Sequence, residues 1–450
     1  AEATVASFTD AIIGGANPGR AGFEKNPTVQ ELLELASNQI EQRFADEPAT
    51  EAAVWQAMGD AAFAIHQFRD AKEYFQNAVK SSEVAFGESD TRIAAALYNV
   101  ALAQSYAEDA KSFNLVKITL ERADTLAGEQ VNKTSELALL AARAHAGYHA
   151  TKLEPALALP YLEQTASLLQ RLRPEARLER FSVQSQITEA LLRQGKPEAA
   201  MKRAQSLIQQ MDQTPTDGGQ ELRANVQMML ARSLRALHRF DEAVRAAELA
   251  LENAASVNPD SRTVLLIRSQ LAAIYDEAGD CEQSLEVMRE VSAEATRLVG
   301  LNNRFTLIEN GNLGFKEYEC GDPAVGLALV EEVGETLRVA NGNDDTASQA
   351  FRVFAAEAYA DKGQYDRSLA LLDGLEPAKL AAAQSEPEWA ARLEAIRGQA
   401  LLGKGKYAEA VALLKAAIPQ LRKLHGDPEA IEKYERCLET ARGELTLSKR

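Results

Sequence analysis

Apolar and small side chains recur at helical spacing along most of the chain, from about residue 29 to residue 444. Residues three and four positions apart are apolar and the positions between them are polar, which is the pattern of amphipathic helices. Ala and Leu dominate, aromatic residues make up 6% of the chain, and no β-rich run interrupts it. The pattern therefore predicts an all-α protein.

The pattern is most complete in the segment between residues 55 and 78. One face of a first helix carries Trp55, Met58 and Gly59. The facing side of a second helix carries Ala71, Phe75 and Ala78. The small residues allow a close approach of the two helices, the aromatic rings fill the space between them, and His66–Phe68 forms the turn.

The same unit recurs along the chain. Turn glycines are predicted at Gly195, Gly279, Gly321, Gly363 and Gly405, of which the last four are 42 residues apart. A small residue near the start of the second helix is predicted at Ala71, Ala156, Ala200, Ala243, Ser284, Gly326, Ser368 and Ala410. The predicted helix pairs span approximately 49–87, 90–128, 131–173, 176–213, 219–257, 260–300, 303–342, 345–383 and 386–424.

These residues resemble the tetratricopeptide signature, a helix-turn-helix repeat whose short form has a period of about 34 residues. The longer period of this chain is similar to the repeats of kinesin light chain and of many bacterial signalling proteins. A single helix pair cannot bury its own apolar face, so the pairs stack on their neighbours. The resemblance implies a right-handed superhelical solenoid of about nine tetratricopeptide helix pairs with a C-terminal capping helix.

The segment before the repeats resembles a junction found in bacterial membrane-anchored signalling proteins. It reads NPTVQELLELASNQIEQRFADEP, with a predicted capping box at Thr28 and Glu31, and leads directly into the first repeat. In those proteins a cytoplasmic serine/threonine kinase or winged-helix domain comes first, followed by one membrane helix, the junction and the repeats. The resemblance implies that an output domain precedes Ala1 and that this chain lies on the extracytoplasmic, periplasmic side.

Four segments are predicted in this chain. They are a lead-in or tether at 1–26, an N-terminal packing helix at 27–47, the tetratricopeptide solenoid at 48–425, and a capping helix with a tail at 426–450. In the lead-in, Ala3–Ile13 is a candidate helix that Gly14–Gly19 ends. The inward face of the capping helix is predicted to carry Ile431, Tyr434, Leu438 and Ala441.

Charge and cysteine content exclude several classes of partner. The formal net charge is −17, whereas a phosphate-binding surface is normally basic, so nucleic acid is not expected. Direct membrane insertion is not expected either, because no stretch of about 20 apolar residues is present. Cys281 and Cys320 fall near the same turn of adjacent repeats but three positions out of phase (42 − 39). With Cys437 they form no metal spacing; free thiols are favoured, and a Cys281–Cys320 bridge is left open.

No catalytic motif is present, and neither catalysis nor a cofactor is expected from this chain. His145 and His149 share one helix face, but no Glu follows the first His and no third ligand is apparent, so they are interpreted as helix-surface residues rather than a zinc site. The basic run from Arg171 to Arg180 is interleaved with glutamates. It is predicted to be a salt-bridged connector, with a surface for an acidic partner as the alternative.

In tetratricopeptide folds the first helix of each pair lines a concave wall. Counting from the signature glycine assigns to that wall Gln56, Asp60, Phe63, Tyr98, Asn99, Leu102, Met228, Arg232, Arg235, Gln270, Asp276, Asn312, Phe315 and Tyr318. The resemblance to kinesin light chain implies that Asn99 and Asn312 hold the backbone of an extended peptide, since an amide both donates and accepts. The alternatives are that these asparagines face solvent and that Phe63 and Phe315 pack between repeats. The carboxylate clamp of heat-shock co-chaperones is not expected, because Asp60 would repel a carboxylate.

Together these features indicate a non-catalytic protein- or peptide-binding solenoid. The resemblance implies the sensing domain of a membrane-anchored bacterial signalling protein. The alternative is a cytoplasmic scaffold that assembles a protein complex. The expected partner is a protein or peptide in the concave groove, and pairing of two chains as a homodimer is a further expectation.

Overall fold

The computed structural model describes residues 28–107, 113–214, 219–343, 345–375, 388–424 and 428–448. These described residues form 20 α-helices, one short 3₁₀-helix at Gly128–Asn132 and no strand. The all-α class predicted from the sequence is therefore confirmed. The predicted lead-in, with its candidate helix Ala3–Ile13, lies outside the described residues.

The chain divides into two compact units, Ala1–Ser233 and Leu234–Arg450. The first unit contains α1 (Val29–Arg43), α2 (Pro48–Ala64), α3 (Phe68–Phe86), α4 (Arg92–Ala107), α5 (Phe113–Ala127), α6 (Glu136–Thr151), α7 (Pro155–Leu172), α8 (Arg177–Arg193), α9 (Pro197–Gln213) and most of α10 (Gln220–Ala236). The second contains α11 (Phe240–Val257), α12 (Arg262–Glu277), α13 (Cys281–Val299), α14 (Arg304–Cys320), α15 (Pro323–Asn341), α16 (Thr346–Asp361), α17 (Tyr365–Leu372), α18 (Glu388–Gly403), α19 (Tyr407–Lys423) and α20 (Pro428–Leu447).

Within each unit, consecutive helices pack against one another and each pair stacks on the next. The first pair buries the side chains that the sequence pattern selected, with Trp55 at 3% and Phe75 at 2% exposure. The predicted capping box is present at the N-terminus of α1. The Thr28 hydroxyl accepts from the Glu31 N–H, and the Glu31 carboxylate accepts from the Thr28 N–H at 2.7 Å. The predicted all-α solenoid of helix pairs is the architecture that the structure shows.

The fourth residue of the second helix is small and buried in most pairs. These residues are Ala71, Ala158, Ala200, Ala243, Ser284, Gly326, Ser368 and Ala410. The prediction of Ala156 in the third pair is wrong, because α7 begins at Pro155 and Ala156 is exposed. Proline is favoured at the first helical position, so the helix start and the buried position both follow from Pro155.

The turns between paired helices use a left-handed backbone. Gly195, Gly279, Gly363 and Gly405 have φ between 67° and 85°. In the first, third and fifth pairs the same conformation is adopted by His66, Leu153 and His238, with φ of 62°, 57° and 56°. The predicted turn glycine Gly321 differs, since its φ is −121°.

Cys281 and Cys320 form a disulfide, with their Cα atoms 5.7 Å apart. The sequence-based preference for free thiols was therefore wrong for this pair. Cys281 is the first residue of α13 and Cys320 is the last residue of α14. These consecutive helices pack against each other in opposite directions, so the start of one lies beside the end of the other. The three-position offset of the two cysteines from the 42-residue period therefore does not keep them apart.

The C-terminal helix α20 is held by a buried ionic cluster. Tyr434 is fully buried, and its hydroxyl donates to Glu357 of α16 at 2.6 Å. Lys433 and Arg392 also donate to Glu357, at 2.9 and 2.6 Å. Burial raises the pKa of Glu357, but the two cations and the Tyr434 hydrogen bond outweigh burial and lower that pKa to about 2.

Candidate functional site

Two neighbouring cavities of the first unit lie along the first helices of its pairs. Cavity A has a volume of about 600 Å³ and is lined mainly by α2, α3, α4 and α6. Cavity B has a volume of about 490 Å³ and is lined mainly by α4, α6, α7 and α8. Phe63, Leu102 and Arg143 line both cavities. The two cavities therefore adjoin each other, and together they are called the first-unit groove below.

Cavity A has a wall of alanines with a few polar groups. The alanines are Ala49, Ala52, Ala53, Ala78, Ala95 and Ala96. Because these side chains end at Cβ, the helices leave room between them that larger residues would fill. Gln56, Asp60 and Asn99 add polar atoms to this wall. No described residue forms a hydrogen bond with the Asn99 amide, although Asn99 is only 8% exposed.

Cavity B has an aromatic wall. The rings of Phe63, Phe68 and Tyr106 contact one another, with centroids 5.1 to 5.9 Å apart. Tyr106 is 40% exposed, so the wall is accessible from solvent. On α6, a Cβ at Gly147 would lie 2.7 Å from Cδ1 of Leu102, so the glycine allows the Leu102 side chain to pack directly against α6. The result is an apolar pocket with the chemistry expected for holding an aliphatic or aromatic side chain.

Ion pairs between neighbouring helices occupy most of the charged groups in the groove. Arg143 pairs with Glu179, and Arg173 pairs with both Glu136 and Glu179, at 2.6 and 3.4 Å. At the far end of cavity B, Glu189 binds Arg193 at 2.6 Å and Arg232 at 2.7 Å. For Arg173, the predicted salt-bridged connector is confirmed.

Asp60 is the exception among the charged groups. Its one hydrogen-bonding partner in the described structure is Gln56, whose amide donates to Asp60 Oδ1 at 3.1 Å. Within the described residues, no cation lies in ion-pair contact with it. Asp60 reaches solvent through the mouth of cavity A, but the surrounding helices desolvate the carboxylate and raise its pKa, an effect that Gln56 and the more distant Arg143 and Arg173 oppose.

Five of the predicted wall residues line cavity A, namely Gln56, Asp60, Phe63, Asn99 and Leu102. Tyr98 does not, and its assignment to the concave wall is wrong. It is fully buried, and its hydroxyl donates to Asp124 of α5 at 2.7 Å. One residue along a helix is a rotation of about 100°, which separates Tyr98 from the face that carries Asn99. Sequence reasoning missed Tyr106, although its spacing of seven residues from Asn99 places it on the same helix face.

The remaining predicted residues do not line the first-unit groove. Met228 is buried, Arg235 pairs with Glu277 at 3.6 Å, and Asp276 pairs with Lys316 at 2.7 Å. The others are Gln270, Asn312, Phe315 and Tyr318, all half-buried, and Arg232, whose partner Glu189 lies at the edge of cavity B.

Phe315 and Tyr318 of α14 pack against the next helix pair. The ring of Phe315 lies 5.2 Å from Phe351 and 4.4 Å from Phe354, and that of Tyr318 lies 5.3 Å from Phe354. The alternative that Phe315 packs between repeats is therefore the correct one. Asn312 donates to the buried Glu309 at 3.4 Å, so its amide has a partner within the protein, unlike that of Asn99.

The histidines on α6 contact different carboxylates. His145 Nε2 lies 3.1 Å from Asp124 and His149 Nδ1 lies 2.8 Å from Glu154, while the ring of Tyr161 stacks on both. In the second unit, ligand atoms of Asp276, Cys281 and Cys320 lie within 4.8 Å of one another. The two sulfurs are joined in the disulfide, so this cluster offers no thiolate to a metal.

Residues 222–293 match the family model described as Tetratricopeptide repeat. A search of curated proteins found no significant match. Among solved structures, the chain is similar to the apo form of the quorum sensor NprR from B. thuringiensis, with 13% identity, a TM-score of 0.55, and coverage of 82% of this chain and 96% of that one. It is also similar to a Rap protein complexed with Competence and Sporulation Factor, with 15% identity, a TM-score of 0.53, and coverage of 89% and 99%.

A third similar structure is a putative kinesin light chain from Podosopora anserina, with 18% identity, a TM-score of 0.39, and coverage of 45% of this chain and 97% of that one. At these identities the likeness concerns the fold. The chain is an all-α solenoid of tetratricopeptide-type repeats. No helix in the described ranges is both long and apolar enough to cross a bilayer.

Proposed function

We propose that this chain is a non-catalytic peptide-binding solenoid and that the first-unit groove is its binding site. The observation that carries the proposal is the groove itself, which extends over the first helices of successive pairs and combines an alanine wall, an aromatic pocket and the unpartnered amide of Asn99. An extended peptide presents backbone donors and acceptors to such an amide and side chains to such a pocket.

The fold is in keeping with a binding function. Two structures with similar folds are a quorum sensor and a Rap protein complexed with Competence and Sporulation Factor. One fold hosts many functions, so this likeness favours a binding role only by analogy, and the argument for a peptide rests on the groove.

The experiment is selection of peptides from a random display library on the full chain, followed by affinity measurement for a selected peptide by fluorescence anisotropy. Asn99→Ala is expected to weaken binding about fivefold, since a lost hydrogen bond of this kind is worth about 1 kcal/mol. The matched control is Asn312→Ala, which is expected to leave the affinity unchanged. Loss of affinity in the control alone would move the site to the second unit, and recovery of no peptide would contradict the proposal.

We further propose that the chain is the extracytoplasmic sensing region of a membrane-anchored bacterial signalling protein. The Cys281–Cys320 disulfide supports an oxidising compartment, because structural disulfides persist there and are rare in the cytosol. The test is to read the gene upstream of Ala1 and to determine the thiol state of the protein in cells. An upstream apolar helix of about 20 residues and an oxidised pair are expected. Reduced cysteines without such a helix would favour a cytoplasmic scaffold.

A further inference from the structure

We infer that the first-unit groove takes a basic peptide, with a Lys or Arg side chain bound at Asp60 in cavity A and an apolar side chain bound in cavity B. This inference rests on the proposed peptide-binding function and specifies the chemistry of the peptide. Its basis is the set of ion pairs in the groove. Among the described residues, one groove carboxylate forms no ion pair with a cation, whereas the arginines of the groove are already paired with carboxylates.

Four carboxylates line the two cavities. Glu136 pairs with Arg173, Glu179 pairs with Arg143 and Arg173, and Glu189 pairs with Arg193 and Arg232. Within the part of the chain that the structure describes, Asp60 is the one groove carboxylate without such a cation. A basic side chain at Asp60 would supply the missing charge and would form charge-assisted hydrogen bonds.

The arginines of the groove do not offer an equivalent site to an acidic peptide. Arg92, Arg143 and Arg173 line cavity A, but each already binds a carboxylate: Arg92 binds Asp90, and the other two bind glutamates of neighbouring helices. An acidic side chain would have to displace Asp90, Glu136 or Glu179, whereas a basic side chain displaces no charged group. The net charge of −17 acts in the same direction, since it attracts a cationic partner at long range.

The geometry also gives the long basic side chain a place to lie. The walls of cavity A on α2 and α4 carry alanines, so the cavity of about 600 Å³ is open beside Asp60. Phe63 lies one helical turn beyond Asp60 on α2 and lines both cavities. A peptide with its basic residue at Asp60 therefore passes Phe63 and reaches the pocket formed by Phe68 and Tyr106, where an apolar residue packs.

The experiment is to sequence the peptides selected from a random display library on the wild-type full chain and on Asp60→Lys. The wild type is expected to enrich peptides that combine Lys or Arg with a nearby aliphatic or aromatic residue, and Asp60→Lys is expected to lose that basic preference. Enrichment of acidic peptides on the wild type would overturn this inference and leave the proposed function standing. Selection of no peptide would contradict the proposed function itself.

A synthetic copy of one selected basic peptide then tests the contact. Asp60→Asn is expected to weaken its binding about tenfold or more, because hydrogen bonds to charged groups are worth about 1.5 to 3 kcal/mol. The matched control Asp241→Asn, at an exposed position of the second unit, is expected to leave the affinity unchanged. Equal affinities for wild type and Asp60→Asn would overturn the inference.

Two further measurements complete the test. Acetylating the amino terminus of the peptide distinguishes a basic side chain from a terminal ammonium: unchanged affinity supports the side chain, and its loss would overturn the assignment to Lys or Arg. Thermal unfolding of Asp60→Asn is expected to match that of the wild type, because Asp60 is held in the free protein by Gln56 alone. The loss of binding would then not be attributable to unfolding.

Discussion

A Cβ atom placed on Gly59 would lie 2.3 Å from Cε1 of Phe75. The ring of Phe75, which is 2% exposed, thus occupies the space that a side chain at Gly59 would need. This contact holds α2 against α3 and explains why glycine and a large aromatic residue face each other in the first repeat. It also shows why the repeat signature combines one position without a side chain and one with a bulky ring.

We predict that Gly59→Ala destabilises the protein by about 1 to 3 kcal/mol, the usual cost of overpacking, and that Gly59→Leu destabilises it more. The measurement is urea unfolding followed by circular dichroism. The matched control is Gly443→Ala in α20, where a Cβ would meet nothing within 4 Å. Alanine is the better helix former, so the control is expected to stabilise by about 0.5 to 1 kcal/mol. An unchanged stability for Gly59→Ala would disprove the close contact.

His238→Gly is predicted to stabilise the turn between α10 and α11. His238 has φ of 56°, a conformation that costs a residue with a side chain about 1 kcal/mol or more and costs glycine little. Glycine loses more entropy on folding, so the expected net gain is about 0.5 kcal/mol, measured as a higher urea midpoint. The reverse change, Gly279→His, is expected to destabilise. A lower midpoint for His238→Gly would contradict this account of the turn.

Repeat number and helix pairing followed from the sequence because each pair repeats the same pattern of small and large apolar residues. The groove was predicted less completely. On α2, Gln56, Asp60 and Phe63 were placed on the correct face, since Gly59 fixed the register there. On α4, Tyr98 was placed on the wrong face because a one-residue error rotates a helix by about 100°.

Other features depend on contacts that sequence spacing does not reveal. The position of the next helix pair determines whether Phe315 is exposed on the predicted concave wall or packs against Phe354. The ion pair between Arg143 and Glu179 joins residues on different helices, so the sequence does not reveal it. For the same reason, the absence of an ion pair at Asp60 within the described residues became visible only once the structure had shown which carboxylates bind the nearby arginines.

The Glu357 cluster predicts an acid-sensitive attachment of α20. Glu357 has a pKa of about 2 in the folded protein, below its ordinary value of 4.5. A lowered folded pKa contributes stability that is present above pH 4.5 and is lost as the pH falls toward 2, an effect of about 3 kcal/mol. Thermal unfolding between neutral and acidic pH measures it, and Glu357→Gln is expected to reduce this acid dependence.

At neutral pH, Glu357→Gln is expected to destabilise the protein, because Arg392 and Lys433 both lose the carboxylate of Glu357, although Lys433 keeps its ion pair with Asp361. The control Glu439→Gln, at an exposed position of α20, is expected to resemble the wild type at every pH. If the wild type and Glu357→Gln lose stability in parallel as the pH falls, the cluster does not cause the acid sensitivity.

The disulfide predicts a single reactive thiol. Under denaturing, non-reducing conditions only Cys437 is expected to react, because Cys281 and Cys320 are bridged. Three reactive thiols would show that the bridge is absent. Replacing both bridged cysteines by serine is expected to lower the stability by about 2 to 4 kcal/mol, since the bridge restricts the unfolded chain. Cys437→Ser serves as the control and is expected to have a smaller effect.

Tyr98 and Tyr106 are predicted to separate stability from peptide binding, because they lie on different faces of α4. Tyr98 is fully buried and donates a hydrogen bond to Asp124, so Tyr98→Phe is expected to cost about 1 kcal/mol of stability and to leave the affinity for a selected peptide unchanged. Tyr106 is 40% exposed and lines cavity B, so Tyr106→Ala is expected to weaken peptide binding at least several-fold. Its stability loss is expected to be smaller than that of replacing a fully buried aromatic residue by alanine, because 40% of Tyr106 is already exposed to solvent. Fluorescence anisotropy and thermal unfolding of the two variants measure both properties. If Tyr98→Phe abolishes binding while Tyr106→Ala leaves it intact, the face assigned to the first-unit groove is wrong.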